Sequence, residues 1–356
     1  MLTAALLTLG DPGRLTGGYL FHQRLAELAP EFDARIAFVS FPERRFPLAA
    51  LDAPRVLRRA RATGAQVLVL DSIAAAFLGP RFLLRPPELP LVGMLHQPPG
   101  GIDYGPARAT VQAWLDRLAE RRAARLLAAS ESLAADLIAS GVPPGRVRVV
   151  PPGRDVAPLP AGPLPELRRG RAMALLCVGN WVPRKGIDSL LEAVARLPSE
   201  AATLHLAGDD RAEPRYAARL YRRLAAQDLA GRVVVHGPLP REQVAALYAA
   251  ADAFALPSLK EPFGTVYGEA MAFGLPVVGW RAGNLPYLAE HEREGLLAEP
   301  GDLAGLTGAL ARLAADSALR ERLGAAAKAR ALSRPTWRET AEHFFAALRE
   351  VARQAG

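Results

Sequence analysis

The sequence predicts an α/β protein of two domains. Short apolar segments alternate along the chain with stretches of helical spacing, which is typical of parallel sheets covered by helices. With 356 residues, half of them apolar, the chain is long enough for two hydrophobic cores. A proline-rich stretch from Pro151 to Pro165 divides it near the middle and has the composition of an exposed interdomain linker.

The first domain is predicted to begin with an apolar strand, Met1 to Thr8, and a helix from about Tyr19 to Leu28. The loop between them contains Gly17 and Gly18, where no Cβ would block a close approach of the backbone to a ligand. An ordinary flexible turn is the alternative interpretation. The spacing of the loop glycines excludes the Gly-x-Gly-x-x-Gly fingerprint of dinucleotide-binding proteins.

A later strand of the first domain, Leu91 to Leu95, is followed directly by His96. Open α/β sheets bind ligands at the carboxyl ends of their strands, which makes His96 a candidate site residue. A structural role is the alternative, as for most single histidines. Val147 to Val150 is predicted to be the last strand of this domain.

The second domain is predicted to open with a buried strand that ends at Val178, a tight loop, and a helix with Asp188 as its N-cap. The loop carries Arg184 and Lys185, and Lys185 is one of three lysines in a chain with 41 arginines. A compact ammonium suits a diphosphate as a point charge. A solvated loop lysine is the alternative.

Two carboxylates follow another apolar strand, Ala253 to Leu256. Glu261 lies in the loop, and Glu269 lies about one turn into a helix that Gly274 ends. The start of such a helix presents backbone N–H groups and a positive dipole end to a ligand. An anion flanked by sugar hydroxyls, a nucleotide diphosphate sugar, would satisfy both carboxylates and the helix end. Solvated surface glutamates are the alternative.

Taken together, these segments resemble the retaining family-4 glycosyltransferases of the GT-B fold. The most specific piece runs from Glu261 through Phe263-Gly264 to Glu269-Ala-Met-Ala-Phe-Gly-Leu-Pro-Val277. Further matching pieces stand in the same order as in the family: Leu204–Asp209, Val233–Leu239, Tyr248–Phe254, Pro257-Ser258, Gly295–Leu297 and Pro300–Asp302.

The resemblance implies two Rossmann-like domains whose parallel sheets face a central cleft, with a C-terminal helix that crosses back to the N-terminal domain. The expected boundaries are 1–155 for the acceptor-binding domain, 156–170 for the linker, 171–335 for the nucleotide-sugar-binding domain and 336–356 for the last helix.

The resemblance also implies a retaining, metal-independent hexosyltransferase with no cofactor. A UDP-sugar is the favoured donor, GDP-mannose stays open, and the acceptor is a small molecule, a glycan or a lipid. The implied catalytic residues are His96, Lys185 and Glu261, and the implied donor-binding residues are Gly17, Gly18, Arg184, Leu239, Phe263, Gly264, Thr265 and Glu269. No metal ligands are expected, and Asp209-Asp210 is interpreted as part of a turn.

Two departures from the family pattern concern the donor site. Asn180 stands where the family often has an arginine, so Arg184 or Arg14 would have to supply that charge. Gly283-Asn284-Leu285-Pro286-Tyr287 replaces the family's Gly-Gly-x-Pro-Glu, which puts donor choice or acceptor access in doubt.

The net charge of +8 and a helix predicted over Ala107 to Leu127, with Trp114, Leu115 and Leu118 on one side, allow peripheral contact with an anionic membrane. An ordinary domain helix is the alternative. Few aromatic residues and no recognised module argue against nucleic-acid binding. A single cysteine, Cys177, and the lack of a signal peptide or spanning segment predict a cytoplasmic protein.

Two rival functions remain open at this point. One is a catalytically inactive GT-B protein that binds nucleotide or serves as a partner subunit, although Lys185, Glu261, Glu269 and His96 occur together. The other is a nicotinamide-dependent oxidoreductase, which the absent fingerprint disfavours.

Overall fold

A computed structural model describes residues 1–13, 17–155 and 162–355 of the chain. They form two compact units. The first unit comprises Met1–Gly153 and Pro335–Gly356, and the second comprises Arg154–Arg334.

The first unit is built on a parallel sheet with six strands among the described residues. They are β1 (Leu2–Leu9), β2 (Ala34–Phe41), β3 (Val67–Asp71), β4 (Leu91–Leu95), β5 (Arg125–Ala128) and β6 (Val147–Val149). Their order is β2-β1-β3-β4-β5-β6. The central strands are buried on both faces, which is why they are continuous apolar runs rather than alternating ones.

Helices cover both faces of this sheet. They are α1 (Gly17–Leu28), α2 (Ala53–Ala62), α3 (Ala75–Leu84), α4 (Pro106–Glu120) and α5 (Glu131–Ala139), joined by the C-terminal helix α13 (Trp337–Ala355). Helix α13 packs Phe344, Phe345 and Leu348 into the core that contains Phe21 and Leu25 of α1. It therefore completes one face of the first sheet.

The second unit also has a parallel sheet with six strands in the part of the chain that is described. They are β7 (Met173–Val178), β8 (Ala202–Ala207), β9 (Val233–Gly237), β10 (Ala253–Ala255), β11 (Val277–Trp280) and β12 (Gly295–Ala298). The order is β12-β11-β10-β7-β8-β9, the doubly wound order of a Rossmann sheet.

The helices of the second unit connect these strands and cover the sheet. They are α6 (Ile187–Ala195), α7 (Pro214–Leu224), α8 (Arg241–Ala250), α9 (Thr265–Ala272), α10 (Leu285–Leu288), α11 (Leu303–Ala315) and α12 (Ser317–Leu332). The chain leaves β7 towards β8 on one side and later returns to β10 on the other. The carboxyl ends of β7 and β10 are therefore the topological switch point, where such sheets bind ligands.

The predicted helix over Ala107 to Leu127 is wrong at its C-terminal end. Helix α4 ends at Glu120, and the chain from Arg125 onward pairs with β4 as strand β5. Its predicted apolar side is also divided, because Leu115 is buried whereas 57% of Trp114 is exposed. Among the described residues, no helix combines the length and apolar character needed to cross a bilayer.

One further expectation differs from the structure. Asp188 is not an N-cap: α6 starts at Ile187 directly after Gly186, and Asp188 lies in its first turn. The predicted linker, 156–170, stays a prediction: its residues 156–161 lie outside the described part of the chain, and Leu167 near its end is buried in the core of the second unit.

Candidate functional site

The loops that follow β7 and β10 are bonded to each other at the switch point of the second sheet. The backbone N–H of Leu259 and the hydroxyl of Ser258 donate to the Arg184 carbonyl oxygen at 2.8 and 3.0 Å. Gly186 closes the first loop with φ of +67°, and a Cβ there would clash with the Pro257 carbonyl oxygen. The two loops therefore form one rigid support for the side chains that they carry.

Lys185 and Glu261 form a buried ion pair on this support. The Lys185 Nζ lies 2.5 Å from Glu261 Oε2, and only 8% of Lys185 is exposed. Arg184 lies at 3.8 Å from the same carboxylate oxygen and donates to the Lys260 carbonyl at 3.0 Å. Arg184 and Lys185 thus share one carboxylate on this support, and their two positive charges suit an anionic ligand.

Glu269 lies in α9 and is paired with a tyrosine. The Tyr248 hydroxyl of α8 donates to Glu269 Oε2 at 3.2 Å, and the Tyr248 ring stacks on Phe273 with centroids 5.6 Å apart. Burial raises the pKa of Glu269, while this hydrogen bond and the charge of Arg241 act in the opposite direction.

Cys177 is a buried residue of β7, close to the end of that strand. Burial raises the pKa of its thiol to about 12, although the Lys185 ammonium acts to lower it. Strands β7 and β10 are parallel neighbours, and the loops after them carry Lys185 and Glu261 and lead to Glu269 on α9. These residues therefore lie at the same end of the second sheet.

The loop before α9 is held in an unusual backbone conformation. Gly264 has φ of +84°, and a Cβ there would lie 2.9 Å from side-chain atoms of Leu288 and Tyr267. Phe263 beside it is half-buried, and Thr265 at the start of α9 is exposed. The loop thus presents the N-terminal backbone of α9 to solvent next to Glu261.

The segment that departs from the family pattern supports this loop. The Asn284 side chain donates to the Phe263 carbonyl at 2.8 Å, and its backbone N–H donates to the Glu261 carbonyl at 3.0 Å. Gly283 approaches so closely that a Cβ would lie 2.8 Å from the Glu261 nitrogen. Tyr287 is 42% exposed. This segment therefore supports the backbone of Glu261 and Phe263.

Turns at the ends of β7, β8 and β9 complete this side of the sheet. Asn180, the other departure, accepts the Asp209 N–H on its side-chain oxygen at 3.3 Å. Asp209 in turn accepts the Arg211 N–H at 2.9 Å, and Asp210 accepts the Tyr221 hydroxyl, so both carboxylates serve the turn. Leu239, after β9, is half-buried against the core.

In the first unit, His96 lies at the carboxyl end of β4 in a cluster with two other titratable residues. His22 Nε2 is 3.2 Å from Asp71 Oδ2, and the rings of His22 and His96 are 4.8 Å apart in an edge-to-face arrangement. Gly18 lies against the His96 ring, since a Cβ there would be 3.4 Å from Cδ2. Gly17 is exposed with no neighbour within 4 Å of a Cβ, and Arg14 lies outside the described residues.

The electrostatics of this cluster keep His96 neutral. Burial first, and the charge of His22 second, lower the pKa of His96 to about 3, although Asp71 acts to raise it. The pKa of Asp71 is below its ordinary value: burial would raise it, but the charge and hydrogen bonding of His22 outweigh that effect. A neutral imidazole can donate and accept hydrogen bonds but carries no charge into the site.

Sequence reasoning missed four residues that the structure places here: Tyr248, Asn284, His22 and Asp71 as partners of the predicted ones. Asp71 ends a strand, a signal that sequence inspection could have used.

The described residues include one set of side chains that could hold a cation. It consists of His22, Asp71 and His96, whose donor atoms lie within 4.8 Å of one another.

Two family models match the chain. The model described as "Glycosyl transferases group 1" matches residues 172–316, and the model described as "Glycosyl transferase 4-like domain" matches residues 3–153. Together they span most of both units.

Curated relatives agree with these matches. A D-inositol 3-phosphate glycosyltransferase of Xylanimonas cellulosilytica is 35% identical over 65% of this chain and 57% of its own length. An MMP alpha-(1->4)-mannosyltransferase of Mycolicibacterium hassiacum is 32% identical over 75% of this chain and 67% of its own length. The chain spans about half the length of the D-inositol 3-phosphate glycosyltransferases that it matches, 46% of the one from Corynebacterium efficiens.

Solved structures share the fold over nearly the whole chain. The sucrose-phosphate synthase from Thermosynechococcus elongatus has a TM-score of 0.81 and 21% identity over 99% of both chains. HepE of Anabaena in complex with UDP-glucose has a TM-score of 0.80 and 23% identity over 98% of this chain and 100% of its own. These likenesses, with the two sheet orders, confirm the predicted GT-B class with two Rossmann-like domains.

Proposed function

The chain belongs to the group 1 glycosyl transferases, and from that premise we propose that it moves a hexosyl group from a nucleotide diphosphate sugar to an acceptor. The observation that carries the proposal is the set of Lys185, Glu261 and Glu269 at the switch point of the second sheet. A UDP-sugar is the proposed donor, and the UDP-glucose complex of HepE supports that choice. The acceptor is a small molecule, a glycan or a lipid, and the inositol phosphate named for the relatives favours the first.

Lys185 has the central electrostatic role in this proposal. Its ammonium is paired with the Glu261 carboxylate. An arriving diphosphate would replace the carboxylate as the main partner of Lys185, which frees Glu261 to accept hydrogen bonds from sugar hydroxyls. As the glycosidic C–O bond breaks, Lys185 would stabilise the charge on the leaving diphosphate by several kcal/mol, on the order of one oxyanion-hole donor.

Glu269 would hold the ribose of the donor. A carboxylate accepts two hydroxyl hydrogen bonds, and charge-assisted bonds of this kind are stronger than neutral ones. The Tyr248 hydroxyl donates a hydrogen bond to Oε2 of Glu269 and so fixes the rotamer of that side chain. The carboxylate is therefore oriented before the ligand arrives.

His96 of the first unit would hydrogen-bond the hydroxyls of the donor sugar as a neutral imidazole. The product would keep the anomeric configuration of the donor, and the leaving diphosphate would take the proton of the acceptor hydroxyl. Neither step requires a metal ion, because Lys185, Arg184 and the start of α9 supply the positive charge.

A thermal-shift screen with UDP, GDP, ADP and their sugars tests the donor site. Binding to the native state alone raises stability by about 2.7 kcal/mol at a ligand concentration 100 times the Kd. We expect UDP and a UDP-sugar to raise Tm, and Lys185→Ala and Glu269→Ala each to abolish most of that shift. Lys328→Ala and Glu242→Ala, which change exposed residues of the same unit, are the matched controls and should keep it.

Turnover separates the proposed enzyme from an inactive nucleotide-binding protein. A panel of nucleotide sugars is incubated with the full chain, and released UDP or GDP is measured. Hydrolysis or transfer from one donor supports the proposal. Nucleotide binding without release from any donor would support the inactive alternative. UDP-induced Tm shifts as large as those of the wild type in Lys185→Ala and Glu269→Ala would overturn the proposed donor site.

A further inference from the structure

The carboxyl edge of the first sheet brings together three residues that are distant in sequence. The strand order places β3 between β1 and β4, so Asp71 at the end of β3 has Thr8 of β1 and His96 after β4 as neighbours. His22 reaches the same point from α1. His22 is completely buried and Asp71 is 2% exposed. Burying titratable groups is costly unless they are paired, which indicates a role beyond packing.

Asp71 is fixed through both of its carboxylate oxygens. The Thr8 hydroxyl donates to Oδ2 at 2.8 Å, and His22 Nε2 lies 3.2 Å from the same oxygen. The Ile73 N–H donates to Oδ1 at 3.3 Å, and the Ser72 hydroxyl donates there at 3.4 Å. A carboxylate held in this way faces Nε2 of His22.

His96 is held on its backbone and on several sides of its ring. Its backbone N–H donates to the Ser72 hydroxyl oxygen at 3.2 Å. The Asp71–Ser72 turn therefore fixes the position of the His96 backbone relative to the end of β3. The ring packs edge-to-face on His22 at 4.8 Å and on Phe21 at 4.9 Å. Gly18 contacts the ring at Cδ2. These contacts restrict the orientation of the His96 ring.

Three ring nitrogens of the cluster are buried without a hydrogen bond of ordinary geometry to another described residue. They are His96 Nε2 and both nitrogens of His22, of which Nε2 lies 3.2 Å from Asp71 Oδ2. Leaving a buried polar atom without a partner costs free energy, so a hydroxyl group that reaches His96 Nε2 would gain a bond that the described residues do not supply.

We propose that Asp71 and His22 are positioning residues that fix the orientation of the His96 imidazole for a hydroxyl of the donor sugar. This inference rests on the proposed function, since His96 is given its role there. Asp71 and His22 touch no reacting atom and act through His96 alone. Outer partners that orient a metal-ligating histidine typically affect activity by about 10- to 100-fold, and we expect an effect of the same order here.

The kinetic test uses Asp71→Asn, which keeps the shape but removes the charge, and His22→Phe, which keeps a ring but removes its nitrogens. With the UDP-sugar found active in the donor panel, we expect kcat to fall about 10- to 100-fold in each variant. The Kd for UDP should stay within about twofold, because the UDP-binding residues proposed above lie in the second unit. His343→Gln, an exposed histidine on α13 of the same unit, is the matched control.

A merely structural role would lower Tm in Asp71→Asn and His22→Phe but leave kcat per folded molecule unchanged. That result would overturn the inference and leave the proposed function intact. Full activity of both variants beside an inactive His96→Ala would overturn it in the same way.

Ring NMR gives a second measurement that needs no turnover. The His96 ring signals are assigned by their loss in His96→Gln, and their number and line width report whether the ring holds one orientation. We expect one sharp set of signals in the wild-type chain and broadened or multiple sets in Asp71→Asn and His22→Phe. One sharp set in both variants would contradict the inference. If no donor is turned over, the proposed function fails and the NMR result alone decides whether Asp71 and His22 position His96.

Discussion

At the scale of the residue, the Lys185–Glu261 pair decides the electrostatics of the second unit's site. Both side chains are largely removed from solvent, so neither charge is fully hydrated if its partner is lost. Removing one partner of a buried pair is costly because the other charge remains unpaired, whereas the net contribution of the intact pair to stability is small. The pair therefore holds in place the ammonium that we propose to bind the diphosphate.

A double-mutant cycle tests this interpretation. We expect Glu261→Gln to lower the free energy of unfolding by about 1–3 kcal/mol, because the Lys185 charge then lacks a counter-ion. Lys185→Met in the same chain should recover part of that loss. Urea denaturation of the wild type, both single variants and the double variant measures the cycle. Strictly additive losses would show that the two charges do not interact.

The raised pKa of Glu269 predicts a pH dependence of nucleotide binding. A carboxyl whose pKa is higher in the folded state loses its proton above its ordinary range, so its ionisation slightly destabilises the fold as the pH rises through that range. Ribose binding requires the ionised form. We therefore expect UDP affinity to fall as the pH is lowered from 7 towards 4.5, the ordinary value.

Isothermal titration calorimetry across this pH range measures the effect on UDP binding. The diphosphate itself also titrates, so the comparison is with Glu269→Gln, which should show a flatter profile. Parallel profiles for the wild type and Glu269→Gln would mean that Glu269 contributes nothing to the pH dependence.

At the scale of the element, the site depends on two loops from neighbouring strands that are bonded to each other. Parallel strands end at the same edge, and the doubly wound order brings the loops after β7 and β10 together although 76 residues separate Lys185 from Glu261. Gly186 makes this contact possible because its left-handed backbone lies directly against Pro257.

Gly186→Ala should therefore damage stability and binding together. The left-handed conformation alone costs on the order of 1 kcal/mol for alanine, and the clash with the Pro257 carbonyl adds to it. Gly170→Ala is the matched control, because Gly170 has φ of +77° in the same unit but open space around a Cβ. We expect Gly170→Ala to lose about 1 kcal/mol and keep UDP binding, and Gly186→Ala to lose more and bind UDP at least tenfold more weakly. Equal effects on Tm and Kd would contradict the role given to the contact.

The parts of the site that were predictable from the sequence are those encoded locally. A strand, a glycine-containing loop and a helix start are contiguous patterns, so Lys185 could be assigned to a loop after a strand and Glu269 to the start of a helix before any contact was known. Asp188 shows the limit of this reasoning, because a good N-cap residue lies inside a helix that begins one residue earlier, after the left-handed Gly186.

Contacts set by sheet order were not predictable. Asp71 and His22 meet His96 only because β3 lies between β1 and β4, and no local pattern encodes that order. The end of α4 was missed for the same reason, since Arg125 to Ala128 become a strand by pairing with β4. Pairing between distant segments overrides local helical periodicity.

At the scale of the whole molecule, each unit is an independent parallel α/β layer structure with its own core and its own switch point. In the first unit the order reverses between β1 and β3, beside Asp71, and in the second between β7 and β10, beside Lys185. The chain thus carries two switch points of the kind at which α/β sheets bind ligands, one with two cations and two carboxylates and one with a neutral imidazole.

Removal of metal ions tests the proposed chemistry of the full chain. Since Lys185, Arg184 and the start of α9 provide positive charge, we expect turnover of the active UDP-sugar to stay within about twofold after dialysis against EDTA. Released UDP is measured before and after dialysis, and again after Mg²⁺, Mn²⁺ or Zn²⁺ is restored. A loss that a metal reverses would contradict metal independence and direct attention to His22, Asp71 and His96.

The chain's single thiol lies on β7 near the strand end that leads to Lys185, and Cys177 is 1% exposed. Alkylating reagents attack the thiolate, which is scarce at neutral pH when the pKa is about 12 and which the reagent cannot reach while Cys177 is buried. Labelling of Cys177 therefore requires the second unit to open transiently, and its rate reports that opening. A nucleotide bound above it would slow the reaction, which gives the molecule an internal probe of occupancy without any engineered label.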